Sequence, residues 1–190
     1  MPELPYEIWK DRINNEINSI KNLDLIEENS IKVNSNGVDL ILKISALGFV
    51  KERGNMVPKR SHRIFLKINR SFPYPGGIDF SWLSNIYHPN IHPVELSFTS
   101  SSGTGYICLN ILKKWSRLSD LVTTIRALKI LVENPNPYDP LEYPECIDAA
   151  TFFKKQNIEE LKKKFSTDEE YKDSENNEAE DIVIIDDEEN

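Results

Sequence analysis

The stretch HPNIHPVELSFTSSSGTGYICLNILKKW, residues 88–115, decides how the rest of the chain is read. It holds one cysteine, Cys108, between Ile107 and Leu109, with a His-Pro-Asn triplet, His88, Pro89 and Asn90, twenty residues upstream. A lone cysteine in such an apolar run is either a buried small hydrophobe, the commoner fate of a free thiol, or a nucleophile that works as its thiolate. Downstream, PNPYDPL at residues 135–141 frames one acid, Asp139, with three prolines. The plain reading of an Asp-Pro pair is a turn in which the carboxylate caps its own backbone.

In order and spacing these pieces resemble the ubiquitin-conjugating enzyme family, whose members carry ubiquitin or a ubiquitin-like protein as a cysteine thioester. The likeness runs through HPNI at 88–91, GYICLNIL at 105–112, Trp115, a helical stretch to about Glu133, and PNPYDPL. The resemblance implies an α+β fold with an N-terminal helix, a four-stranded antiparallel meander, an active-site strip and C-terminal helices. It implies that Cys108 holds the thioester and that Asp139 orients an incoming lysine and helps to deprotonate it, since an attacking amine must be neutral. Asn90 is assigned either stabilisation of the oxyanion or shaping of the active-site loop. His88, Pro89 and Trp115 are implied to be structural, the alternative for His88 being a base for Cys108 as in a cysteine protease.

Partners follow from the same resemblance: the modifier, an activating enzyme that uses the ATP, and a ligase. No cofactor or metal is implied for this chain. Ligase docking points to Tyr74, in the proline-rich SFPYPGGIDF at residues 71–80, and to Ser116, Arg117 and Leu118. The chain departs from the pattern as well, with Trp115 one residue nearer the cysteine than is usual and two glycines in the proline-rich loop where prolines are common. Ser116-Arg117-Leu118 replaces the family's Ser-Pro-Ala, Asn110 stands where Asp is frequent, and an insertion fills residues 92–104. Its Ser, Thr and Gly favour an exposed loop, either a tolerated surface insertion or a gate that selects partners.

The 190 residues suit one domain with an appendage. Residues 166–190 carry twelve acidic residues and one lysine, whereas residues 1–165 carry 22 basic and 19 acidic ones. The nearly neutral main part, read as the catalytic core, suggests neither nucleic acid nor a membrane surface as partner. Two cysteines build no disulfide framework, and MPELPYEIWK lacks the basic start and apolar run of a secretory signal, so cytosol or nucleus is expected.

Trp9, Ile13, Ile17 and Ile20 predict a helix over about residues 5–22, whose polar face, with Lys10, Arg12 and Lys21, is either an activating-enzyme contact or plain solvated surface. Alternation predicts strands over 38–45 and 63–69, with the polar KERGNMVPKRSH between them as a surface loop. Leu118, Leu121, Ile125, Leu128 and Val132 predict a second helix, and Ala149, Phe152, Phe153, Ile158 and Leu161 a last one over about 145–165.

Beyond residue 165 the composition predicts a disordered acidic tail. Its end, Ile182, Val183, Ile184 and Ile185 before four acids, resembles a SUMO-interacting motif, in which a short apolar strand joins a sheet edge of the modifier. Self-docking and no role are the alternatives. For the whole chain three classes stand: an active conjugating enzyme, a catalytically inactive binding module on the same fold, and an unrelated cysteine hydrolase.

Overall fold

The protein is described by a computed structural model that covers residues 3–34, 36–74, 76–96, 102–108 and 119–165. Asn110, Trp115, Ser116, Arg117 and Leu118 lie outside the described residues, as does the whole tail with Ile182, Val183, Ile184 and Ile185.

Helix α1, Tyr6–Lys21, starts behind Pro5 and buries Trp9, Ile13 and Ile20, the face that the four-four-three spacing marks out. Four strands follow: β1, Lys32–Asn34; β2, Gly37–Glu52; β3, Asn55–Asn69; and β4, Ile78–Trp82. They form one antiparallel sheet in the order β1-β2-β3-β4. The register pairs Val38 with Ile68, Leu40 with Leu66 and Leu42 with Ile64, all buried, so alternate residues of both long strands point into one core. Trp9 Nε1 donates to Asn69 O at 3.0 Å and ties α1 to the end of β3.

The strands are longer than the alternation predicts, and the expected loop between them is a correction. KERGNMVPKRSH continues the ladder almost to its tip, with Glu52 opposite Asn55. The turn needs only Arg53 and Gly54, both at positive φ (50° and 83°), a twist that matches a tight antiparallel hairpin. Residues 55–61 of β3 bury no full face, so the segment has strand hydrogen bonds without a strand's hydrophobic signature. At the foot of this extension His62 is fully buried, although the stretch reads as polar loop.

Two short strands, β5 at Ile91–His92 and β6 at Tyr106–Ile107, pair antiparallel as a separate ribbon. Helix α2, Leu121–Glu133, then packs on β2 through Leu121, Ile125, Leu128 and Val132. Its first turn is capped twice. Asp120 accepts from Thr123 N at 2.7 Å, and Glu16 of α1 accepts from Leu121 N at 2.9 Å. Glu16 is buried, and Arg12, at 2.8 Å from it, balances its charge.

The last helix expected from the pattern is two helices: α3, Pro144–Phe153, and α4, Ile158–Phe165. Asn157 starts the second, its Oδ1 accepting from Glu159 N and Glu160 N at 3.1 and 3.3 Å. An apolar period that continues across a break hides a local capping signal of this kind. The chain divides into two units between Gln156 and Asn157.

Candidate active site

The strip around Cys108 is fastened from several sides by backbone hydrogen bonds. In the β5–β6 ribbon Ile91 faces Ile107, and both are buried. Gly105 precedes β6 at φ +74°, and its carbonyl accepts from Trp82 N at 2.8 Å, which hangs the ribbon on the end of β4. A side chain at Gly105 would run into Ser81 Oγ, so the strip approaches β4 only because this residue has none. Cys108 follows, half-buried, with its N–H donating to Asn90 O at 2.8 Å.

Asn90 is the hub. Its Oδ1 accepts from Asn136 N at 2.8 Å, and its Nδ2 donates to Asn136 O at 3.1 Å and to Asp139 O at 2.9 Å. Both amide hydrogens are therefore engaged with the PNPYDPL loop. The Asn90 side chain thus ties the PNPYDPL loop to the His-Pro-Asn turn. Leu141 N adds a bond to Pro89 O at 2.9 Å, so Cys108 and Asp139 are linked through one asparagine by two hydrogen bonds. Asp139 is exposed, and among the described residues its carboxylate accepts no hydrogen bond.

His88 is buried with both ring nitrogens in use. Nδ1 accepts from Asn90 N at 3.0 Å, which puts the proton on Nε2, 3.0 Å from Leu131 O. Burial holds its pKa down at about 3. A neutral imidazole bonded to the backbone at both nitrogens has no ring position left for a thiol, so the cysteine-hydrolase reading finds no support in this geometry. Cys146 is buried, its Sγ lies 3.5 Å from Ile91 O, and burial pushes its pKa up to about 12, which disfavours the thiolate.

Cys108, Asn90, Asp139, His88 and Pro89 are thus brought to one place. Tyr74 lies on another loop, half-buried, where its N–H donates to Ser71 O and its carbonyl accepts from Gly77 N beside the cis Phe72–Pro73 peptide. Arg12 is half-buried. It bonds Glu16 and donates to Ser119 O at 3.0 Å, turned toward α2, whereas Lys10 and Lys21 are exposed.

The insertion is also corrected in part. Its two flanks are packed: Val94 N donates to Trp82 O, Glu95 N to Leu83 O and Gly103 N to Val94 O, leaving residues 97–101 outside the described chain. Sequence reasoning missed His92, at the start of the insertion, which is buried. The one signal was its place directly after the His-Pro-Asn-Ile run.

A family model described as ubiquitin-conjugating enzyme matches residues 12–168, most of the chain, which therefore belongs to the ubiquitin-conjugating enzyme family. Ubiquitin-conjugating enzyme E2 T of Mus musculus is 34% identical over 87 residues, 43% of this chain and 36% of that protein. Ubiquitin-conjugating enzyme E2 N of Macaca fascicularis is 38% identical over 61 residues, 32% of this chain and 34% of the other. These alignments span about a third of the length of each curated relative. Among solved structures, the E2 domain of a ubiquitin conjugating enzyme from Toxoplasma gondii shares the fold, with a TM-score of 0.52 at 22% identity over 77% of this chain and 87% of that one.

Proposed function

We propose that this chain accepts ubiquitin or a ubiquitin-like protein from an activating enzyme as a thioester on Cys108 and, with a ligase, passes it to a substrate lysine. The observation that carries the reading is the linkage through Asn90, whose backbone holds the N–H of Cys108 while its side chain holds the carbonyl of Asp139. One residue ties the backbone of Cys108 to that of the exposed acid, and positioning of this kind supports transfer to an amine. In loading, the Cys108 thiolate attacks the activated acyl carbon and the activating enzyme's thiol departs. In transfer, the lysine amine attacks the same carbon, its proton is lost toward Asp139 or solvent, and Cys108 is released as thiolate.

Asn90 acts here by fixing the loop, and His88 and Pro89 by fixing the turn that carries Asn90. Trp115 has a structural role in this reading. Tyr74, Ser116, Arg117 and Leu118 are the ligase-docking residues of this reading, and Ile182, Val183, Ile184 and Ile185 bind SUMO. The reaction needs no cofactor or metal on this chain, and its place is the cytoplasm or nucleus. Incubation with activating enzyme, ATP and a panel of modifiers tests the reading: a thiol-sensitive adduct with one of them supports it. No adduct with any modifier leaves the inactive binding module on the same fold.

A further inference from the structure

His92 joins two parts of the site that the Asn90 contacts also join, but at a different place. It pairs with Tyr106, two residues before Cys108, and its ring stacks on Tyr143, four residues after Asp139. The stack is close, with centroids 3.8 Å apart and planes within 7°. Nδ1 accepts from Thr104 N at 3.2 Å and lies 2.8 Å from Thr104 Oγ1, closing the base of the insertion. An accepting Nδ1 leaves the proton on Nε2, which faces Glu145 Oε2 at 3.5 Å. Tyr143 is the N-cap residue of α3 and Glu145 lies in its first turn.

This imidazole is buried, covered on one face by an aromatic ring and hydrogen-bonded at Nδ1 to Thr104, with Nε2 turned toward Glu145. The loop that carries Asp139 is consequently fastened on both sides of Leu141, whose own N–H donates to Pro89 O. Asn90 holds it at Asn136 and Asp139, and His92 holds the chain just beyond, at Tyr143 and Glu145. Without His92 the chain beyond Leu141, where the Pro89 bond ends, would lose its stacked contact with the strip that carries Cys108. A misplacement of about 1 Å at a reacting group costs on the order of a hundredfold in rate.

We propose that His92 is a positioning residue for the transfer step, holding through Tyr143 and Glu145 the loop that presents Asp139 to the thioester on Cys108. The inference rests on the function proposed above. It is tested by loading the full chain, then following single-turnover discharge to free lysine over a range of lysine concentrations, well below each variant's thermal midpoint. His92→Ala and Tyr143→Ala should lower the maximal discharge rate about tenfold or more, with the half-saturating lysine concentration and the loading rate unchanged. Tyr143→Phe, which keeps the stacked ring, should discharge near the parent rate. The double variant should be no slower than the slower single, because the two rings act as one unit.

Unchanged discharge in His92→Ala overturns the proposal, as do single losses that multiply in the double variant or a Tyr143→Phe as slow as Tyr143→Ala. Failure of the parent chain itself to load any modifier overturns the function on which the proposal stands, an outcome distinct from normal loading with unmoved discharge.

Discussion

Asn90 makes three side-chain hydrogen bonds to backbone of the PNPYDPL loop, and its amide is unavailable to an oxyanion while they last. Asn90→Ala and Asp139→Ala should both load nearly as the parent does, yet release the modifier to free lysine about ten- to a thousandfold more slowly. Asn90→Asp, which keeps the acceptor for Asn136 N and loses both donors, should resemble Asn90→Ala. Discharge rates equal to the parent would remove both residues from the transfer step. The buried histidines give a different residue-scale expectation. Burial lowers His62 to about 4 and His88 to about 3, from an ordinary value of 6.5. Between those values and 6.5 the unfolded chain binds more protons than the folded one, so stability rises with pH. The contribution is complete above about 6.5 and is lost as pH falls, by roughly 2 kcal/mol for each histidine at pH 5. The thermal midpoint should therefore drop from pH 7 to pH 5, with a shallower slope in His62→Gln; a flat profile in the parent would contradict this. The motif residues were legible because their types and spacing are nearly fixed by the chemistry. His62 and His92 were not, since nothing in a local polar stretch says which side chain the sheet or a distant tyrosine will cover.

At the scale of elements, α1 and α2 are joined by a charged clamp rather than by apolar faces alone. Glu16 accepts from Leu121 N while Arg12 bonds Glu16 and Ser119 O. Glu16→Ala would leave a helix N–H and a guanidinium short of a partner, at a cost of about 1–3 kcal/mol, and Glu16→Gln, which keeps the acceptor, should cost less. Urea unfolding midpoints decide this, and equal midpoints for Glu16→Ala and the parent would refute it. Hydrophobic period located α1, the inner parts of β2 and β3, and α2, because each buries a regular face. It failed at the hairpin tip, where pairing proceeds without burial, and at the gap between α3 and α4, where an asparagine cap interrupts an apolar period that runs on. The pairing of insertion flanks with the end of β4 was equally hidden, being made of backbone bonds.

For the whole molecule, charge separates the nearly neutral residues 1–165 from the acidic remainder, and catalysis on Cys108 should not need that remainder. Deleting residues 181–190 should leave loading intact and weaken SUMO binding. Binding by so short a strand should be weak, micromolar to millimolar as an order of magnitude, and should fall as salt screens the neighbouring acids. Titration of SUMO into the full chain and the deleted one checks this, and identical binding curves would remove the motif. The decisive measurement is the intact mass of the chain after incubation with activating enzyme, ATP and modifier, before and after thiol treatment, in the parent and in Cys108→Ser. The parent should gain one modifier that thiol removes, while Cys108→Ser should gain a thiol-resistant ester or nothing; a normal thiol-labile adduct on Cys108→Ser would show that the nucleophile is not Cys108.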